Sequence, residues 1–333
     1  MHISSRFRSV GAAAALAAVL VLPVACSSDS GDSADAAVTV SGAFGEATIE
    51  GAPQRIVALS TTDADFVFAA GAKPIAVPIL EQSNAATGGT GIYPWQKSLY
   101  PADTPKVDAP ATDISVEAVA ALDPDLIVAT GFWGLDEKVY GALSDIAPVV
   151  HFDTEANADA WQDNVRKVGK AVGGTEKAEE SITAAEASMT SVREANPKLA
   201  GKKYNAIISP SEDGVYVLCS EEDNMARAMK GLGLELSDYA KTVECDGGKG
   251  EVSWENLPKL DADLLWVIPD TADQMSVLDA QPLWPQLPAV KRGAFTVVPK
   301  SEGVPFALGF PSPQSLEWGV GQVAPKFSEA VSK

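Results

Sequence analysis

A block of fourteen residues occurs twice in this chain, and no other feature limits its possible folds so strongly. Ile114-Ser115-Val116-Glu117-Ala118-Val119-Ala120-Ala121-Leu122-Asp123-Pro124-Asp125-Leu126-Ile127 returns 138 residues later as Val252-Ser253-Trp254-Glu255-Asn256-Leu257-Pro258-Lys259-Leu260-Asp261-Ala262-Asp263-Leu264-Leu265. Ser, Glu, Leu, Asp, Asp and Leu are identical in register, and three further pairs are aliphatic in both copies. Each copy sets a helix-sized stretch before an apolar run short enough to be a buried strand. A period this long is a lobe and not a solenoid unit. Two similar lobes are therefore expected, each presenting one glutamate at an equivalent point.

The N-terminus reads as a targeting segment. Arg6 and Arg8 form a basic start, and residues 10–24 form an apolar run too short to span a bilayer comfortably. Leu22-Pro23-Val24-Ala25-Cys26 resembles the cleavage box of bacterial lipoproteins. That pattern implies a signal over residues 1–25 and a lipid on Cys26. Pro23 departs from it, since an aliphatic residue is usual there, and an ordinary secreted protein cut nearby is the alternative. Residues 27–37 are polar and acidic, with too little apolar surface to fold, so residues 26–47 are assigned to a flexible tether.

The full chain is 46% apolar, enough for two cores of ordinary size. Its net charge is −20, and loss of Arg6 and Arg8 with the signal would make it −22. Such a surface argues against nucleic acid or anionic lipid as partner and favours a basic protein surface. Cys219 and Cys245 then remain as an even pair in a secreted chain, which reads as one disulfide worth roughly 3 kcal/mol in the chain-entropy model. A two-thiolate metal site is the alternative, and no histidine or third cysteine lies nearby to complete it.

Strand-like and helix-like segments alternate from residue 48, the pattern of a parallel, doubly wound sheet. The fold class is α/β: two lobes with mainly parallel sheets, bridged by a long helix, with a ligand cleft between them. The N-terminal lobe is assigned to residues 48–158, the connecting helix to 159–195 and the C-terminal lobe to 196–333. Gly173-Gly174 should kink or break the connector. Ligands of such sheets bind outside the carboxyl ends of the strands, where the following helices begin. Ser115 and Ser253 are suitable N-caps, which puts Glu117 and Glu255 in first helical turns on that rim. A carboxylate there already interacts favourably with the helix dipole and needs no further role.

Four further blocks make the chain recognisable: Pro53 to Leu59, Leu122 to Ile127, Leu143 to Val149 and Pro282 to Val290. In this order they resemble the substrate-binding lipoproteins of iron-siderophore and vitamin B12 ABC importers, over about residues 48–327. The resemblance implies two α/β lobes bridged by one helix, a monomer, and a tether to the outer face of the cytoplasmic membrane. It implies that the glutamate of each lobe docks on the ABC permease subunits, which assigns permease docking to Glu117 and Glu255. The expected cargo is a ferric siderophore, with haem or vitamin B12, or a non-transport sensor of the same fold, as alternatives.

The ligand site itself is less marked. Aromatics beyond strand ends suit a large, flat, partly apolar chelate. Tyr93, Trp95, Trp133, Tyr216 and Phe306 are the candidates, with Arg227 as the cation best placed to meet a negative chelate. Arg55 flanks the first strand, Lys300 is a weaker cationic choice, and His151 reads as a packed core residue. No resident cofactor or metal site is expected, because His151 is the one histidine left after residues 1–25. No GxxxxGK[ST], GxSxG or HExxH pattern occurs, so no catalytic residue is assigned and the chain is not expected to be an enzyme.

Overall fold

The computed structural model describes residues 37–333 except 81–83, 101–104, 109–113 and 272. The signal, the first half of the assigned tether and Cys26 therefore lie outside the described residues. The N-terminal lobe holds strands β1 (Val38–Gly42), β2 (Gly45–Ile49), β3 (Ile56–Ala58), β4 (Val77–Ile79), β5 (Lys106–Asp108), β6 (Leu126–Ala129) and β7 (Val149–His151). Its helices are α1 (Thr61–Ala69), α2 (Val116–Ala120) and α3 (Glu137–Ser144). Strands β3, β6 and β7 pair in parallel in the order β3-β6-β7. A parallel bridge from Val57 to Ala76 leads on to the parallel pair β4-β5. Alternate residues of β3 and β6 enter opposite cores: Ile56, Leu126 and Val128 on one face, Val57, Ile127 and Ala129 on the other. Both faces are covered, which is why these strands are apolar throughout.

The tether boundary needs correction. Residues 38–47, assigned to the tether, belong to the antiparallel β1–β2 hairpin. Val38, Val40, Ala47 and Ile49 alternate with Thr39, Ser41, Glu46 and Thr48, and Val40, Ala47 and Ile49 are buried in the lobe core. The Ala43 N–H donates to Phe152 O at 2.9 Å and docks the hairpin beside β7. A strand period of two was present, but the acidic stretch before it dominated the composition.

The connector is also shorter than assigned. Helix α4 (Trp161–Ala171) doubles back against α5 (Thr175–Ala195), and only α5 runs between the lobes. Gly173 turns the chain at φ 72°. Gly174 passes so close to Ala70 O that a Cβ there would stand 1.9 Å from it, and only glycine fits. The break expected at Gly173-Gly174 thus separates two antiparallel helices, joined by Arg166–Glu179 and Gln162–Glu186 contacts at 2.7 and 3.1 Å.

The C-terminal lobe holds β8 (Lys203–Ile208), β9 (Gly214–Leu218), β10 (Glu235–Leu236), β11 (Lys249–Ser253), β12 (Leu264–Ile268) and β13 (Phe295–Val297). Helices α6 (Asn224–Gly231), α7 (Asp273–Asp279), α8 (Pro288–Lys291), α9 (Val304–Gly309) and α10 (Pro313–Ala330) complete it. The sheet runs β11-β9-β8-β12-β13, with β10 beside the start of β8. Strands β8, β10, β12 and β13 are parallel, and β9 is antiparallel to both β8 and β11. Strand β11 therefore points the same way as β8 and β12. Tyr204, Trp266 and Ile268 pack on one face under α6 and α10, and Ile207, Leu265 and Val267 on the other.

Candidate ligand cleft

The carboxyl ends of the C-terminal strands surround a hollow of about 650 Å³. Ser209 stands at the end of β8, Ile268 at the end of β12 and Lys300 beyond β13, with Tyr216 from β9 and Lys249 and Glu251 from β11 closing one side. Tyr216 faces Glu251 in the β9–β11 register, and its hydroxyl donates to Glu251 Oε1 at 2.7 Å. That hydrogen bond raises the phenol pKa, so the phenol stays a neutral donor. Lys249 Nζ lies 3.3 Å from Asp223 Oδ2, and Lys300 pairs with Asp270 and approaches Ser209 Oγ at 3.3 Å. Burial works to raise the Asp270 carboxyl, but hydrogen bonds from Lys300, Ser209 and Gln274 prevail and hold it below its ordinary value. The exposed Cys245 also lines the hollow. It is bonded to Cys219 (S–S 2.01 Å), which staples the end of β9 to the segment entering β11.

The N-terminal lobe brings three strand ends to its own rim, and one buried carboxylate holds two of them. Ser60 follows β3 and caps α1 by accepting from the Asp63 N–H at 3.0 Å, while its hydroxyl donates to Asp63 Oδ2 at 2.6 Å. Asp63 Oδ1 accepts from Thr130 Oγ1 at 2.7 Å and from the Gly131 N–H at 3.0 Å. Asn157, beyond β7, donates to Gly131 O at 3.2 Å. Desolvation raises Asp63 to about 6 against these bonds. The tied loop after β6 presents Trp133, 53% exposed, edge-on to Phe310 at 6.5 Å from the other lobe. Asn224, at the start of α6, crosses the junction by donating to Asn157 O at 2.9 Å, and lies 3.3 Å from Gly309 O of its own lobe.

The residues expected at the ligand site divide. Trp133 and Tyr216 are the two exposed large hydrophobic side chains among the described residues, one on each lobe. Tyr93 and Trp95 are not at an open surface: they are 6% and 8% exposed and stacked at 4.4 Å, and Trp95 packs on Trp318 at 5.4 Å. The Trp95 indole N–H donates to buried Asp65 at 3.0 Å, so this pair fills the seam between lobes. Phe306 bridges that seam and the rim, 5.6 Å from Tyr93 and 6.3 Å from Phe310. Arg227 is displaced from the expected place. Its guanidinium pairs with Glu222 at 2.7 Å, and it lines a separate hollow of about 330 Å³ along α5 with Trp161 and Arg193. It shares that hollow with Asn224, three residues earlier on α6, and does not line the larger hollow at the strand ends. The cations of the cleft wall are Lys249 and Lys300; Lys249 was not anticipated, although its alternation with Glu251 on a strand opposite Tyr216 was a usable signal.

His151 is enclosed. Phe44 stacks on it at 5.7 Å, the Phe44 N–H donates to Nε2 at 3.0 Å, and Nδ1–H donates to Val149 O at 3.1 Å. Burial lowers its pKa, so it stays neutral. Arg55 donates to the Leu122 and Asp123 carbonyls beside β3. Among the described residues no group of three or more His, Cys, Asp or Glu could hold a metal ion, and no helix is long and apolar enough to cross a membrane. Glu117 is exposed in the first turn of α2, where Ser115 caps the Ala118 N–H at 3.1 Å. Glu255 is exposed directly after β11, in a 3-10 turn (Trp254–Leu260), and Ser253 makes no side-chain cap there.

Residues 56–302 match the model of a family described as periplasmic binding protein. The probable siderophore-binding lipoprotein YfiY of Bacillus subtilis is 29% identical, over 84% of this chain and 86% of its own. The Fe(3+)-citrate-binding protein YfmC of the same organism is 24% identical, over 75% of this chain and 74% of its own. Among solved structures, a periplasmic solute binding protein from Mycobacterium smegmatis is 29% identical and superposes with a TM-score of 0.74, covering 89% of this chain and 99% of that one.

Proposed function

The chain belongs to the periplasmic binding protein family, and we propose that it captures a ferric siderophore outside the cytoplasm and delivers it to the permease of an ABC importer. One observation carries the ligand reading. The two large hydrophobic side chains left exposed, Trp133 and Tyr216, stand on opposite lobes at the carboxyl ends of the strands. Single exposed aromatics are ordinary on a surface; one at the strand ends of each lobe matches a bulky, partly apolar ligand held between them. The names of the relatives, a siderophore-binding lipoprotein and a ferric-citrate-binding protein, support the same class. A haem reading gains no support, because His151 is enclosed and the Tyr216 phenol is engaged as a donor to Glu251.

Docking on the permease is assigned to Glu117 and Glu255, and attachment to the membrane to a lipid on Cys26. The protein would then act as a tethered monomer on the outer face of the cytoplasmic membrane. Titration of the soluble domain with ferric siderophores, vitamin B12 and haem tests the ligand class. Tryptophan emission should be quenched by a ferric siderophore, and Trp133→Ala should lose most of the quenching and weaken binding about 10-fold or more. Failure of every ferric chelate to bind would sink the reading.

A further inference from the structure

Resting on the siderophore reading above, we propose that the cleft selects ferric chelates of zero or positive charge, a ferric trihydroxamate bearing a free ammonium above all, and rejects strongly anionic ferric catecholates and citrates. The charge that the cleft walls carry sets this preference. Both cations of the C-terminal wall are already matched: Lys249 by Asp223, and Lys300 by Asp270. Three further carboxylates line the same hollow, Glu244, Asp246 and Glu251. None of the three is in an ion pair among the described residues, and Glu251 only accepts the Tyr216 hydroxyl.

On the N-terminal rim, the segments leaving β3, β6 and β7 (residues 59–63, 130–135 and 152–159) contain no lysine or arginine, and the described part of the loop after β4 holds one exposed cation, Lys97. Arg227 is turned to the hollow along α5 and paired there with Glu222. The cleft is thus negative at close range, within a chain of net charge −20.

Ligand charge follows from elementary chemistry. Three hydroxamates, each singly negative, cancel iron(III), and a pendant amine adds one positive charge. Three catecholates leave a trianion, which would meet a hollow whose two lining cations, Lys249 and Lys300, are already paired. Three uncancelled carboxylates at ~8 Å in a water-like medium change affinity about tenfold for each unit of ligand charge. Salt should shrink that factor.

The test compares a linear ferric trihydroxamate that carries a terminal amine with its N-acetylated form, which has the same iron core and one positive charge fewer. A ferric tricatecholate and ferric citrate are titrated beside them, all by tryptophan quenching on the full soluble domain. Acetylation should weaken binding about 10-fold at low salt and little at high salt, and the tricatecholate should bind at least ~100-fold more weakly than the amine form. Glu244→Gln with Asp246→Asn, both on exposed side chains, should shrink the effect of acetylation. If the acetylated form or an anionic chelate binds best, or the double variant leaves the ratio unchanged, the charge selection is wrong while the siderophore reading stands. If no ferric chelate binds at all, both fall together.

Discussion

Asp125 and Asp263 occupy matching positions in the two copies of the repeated block, and they do the same work. Asp125 accepts the Gln54 and Arg55 N–H groups at 2.7 Å each, at the start of β3. Asp263 accepts the Lys203 N–H at 2.9 Å, at the start of β8. In each lobe this carboxylate pins the neighbouring parallel strand where its first N–H has no ladder partner. The matched apolar positions also have one use: Val119 and Leu122 pack in the N-terminal core, Leu257 and Leu260 in the C-terminal one. The repeated glutamates are different, for Glu117 has only the Ser115 hydroxyl at 3.2 Å and both are exposed. A residue with no packing role is the one free to serve a partner. Asp125→Ala or Asp263→Ala should therefore cost ~1 kcal/mol in a denaturant melt. Glu117→Ala with Glu255→Ala should leave both stability and ligand affinity near wild type and abolish uptake in cells. A loss of affinity in that double variant would move the glutamates from docking to the ligand site.

At the scale of elements, the β1–β2 hairpin shows how local composition can mislead. Its polar residues alternate with Val40, Ala47 and Ile49, and that inner row fills the gap between β7 and α4. The hairpin also seals His151: a Cβ on Gly42 would stand 2.5 Å from its Nε2, so the chain passes directly over the ring. Val40→Ala should cost ~1–3 kcal/mol, since the side chain is 6% exposed in a packed core. A tether residue would cost almost nothing, and a melt of the variant decides between the two. The connector teaches the same lesson. Helical spacing through residues 161–195 was legible, and so was the double glycine. Whether the chain continued or doubled back there depended on α4 finding α1 and the lobe core, which no local pattern records.

At the scale of the molecule, the lobes are joined by more than α5. Asp65 on α1 lies wholly buried and accepts from Trp95 Nε1 at 3.0 Å, Gln96 Nε2 at 2.8 Å and Ser312 Oγ at 2.8 Å. Ser312 in turn caps α10 of the other lobe by accepting from the Ser315 N–H at 3.1 Å. With the Tyr93, Trp95 and Trp318 rings around it, this polar hub fixes the floor of the junction beneath the cleft. Desolvation, against those hydrogen bonds, raises Asp65 from the ordinary 3.8 to about 6. The folded-state value lies above the unfolded one, so the stability contributed by this group is complete below about 3.8 and is lost as pH rises through 6. Asp65→Asn removes the titration. The stability of wild type relative to this variant should fall by up to ~3 kcal/mol between pH 4 and pH 7. A difference that stays flat or rises over that range would contradict the placement of this carboxylate.

The chain's own pattern determined the two lobes, their alternating strands and helices, the cysteine pair and the rim that carries the repeated glutamates. Each of these rests on local periodicity or on residues whose spacing reports one lobe at a time. The cleft chemistry was decided only in three dimensions. Tyr93 and Trp95 became seam, Arg227 turned to the face along α5, Lys300 met Asp270 because β12 and β13 end at one edge, and Lys249 at the start of β11 met Asp223 at the cap of α6. Burial and charge pairing are properties of neighbours, and these neighbours are set by the packing of the sheets against their helices.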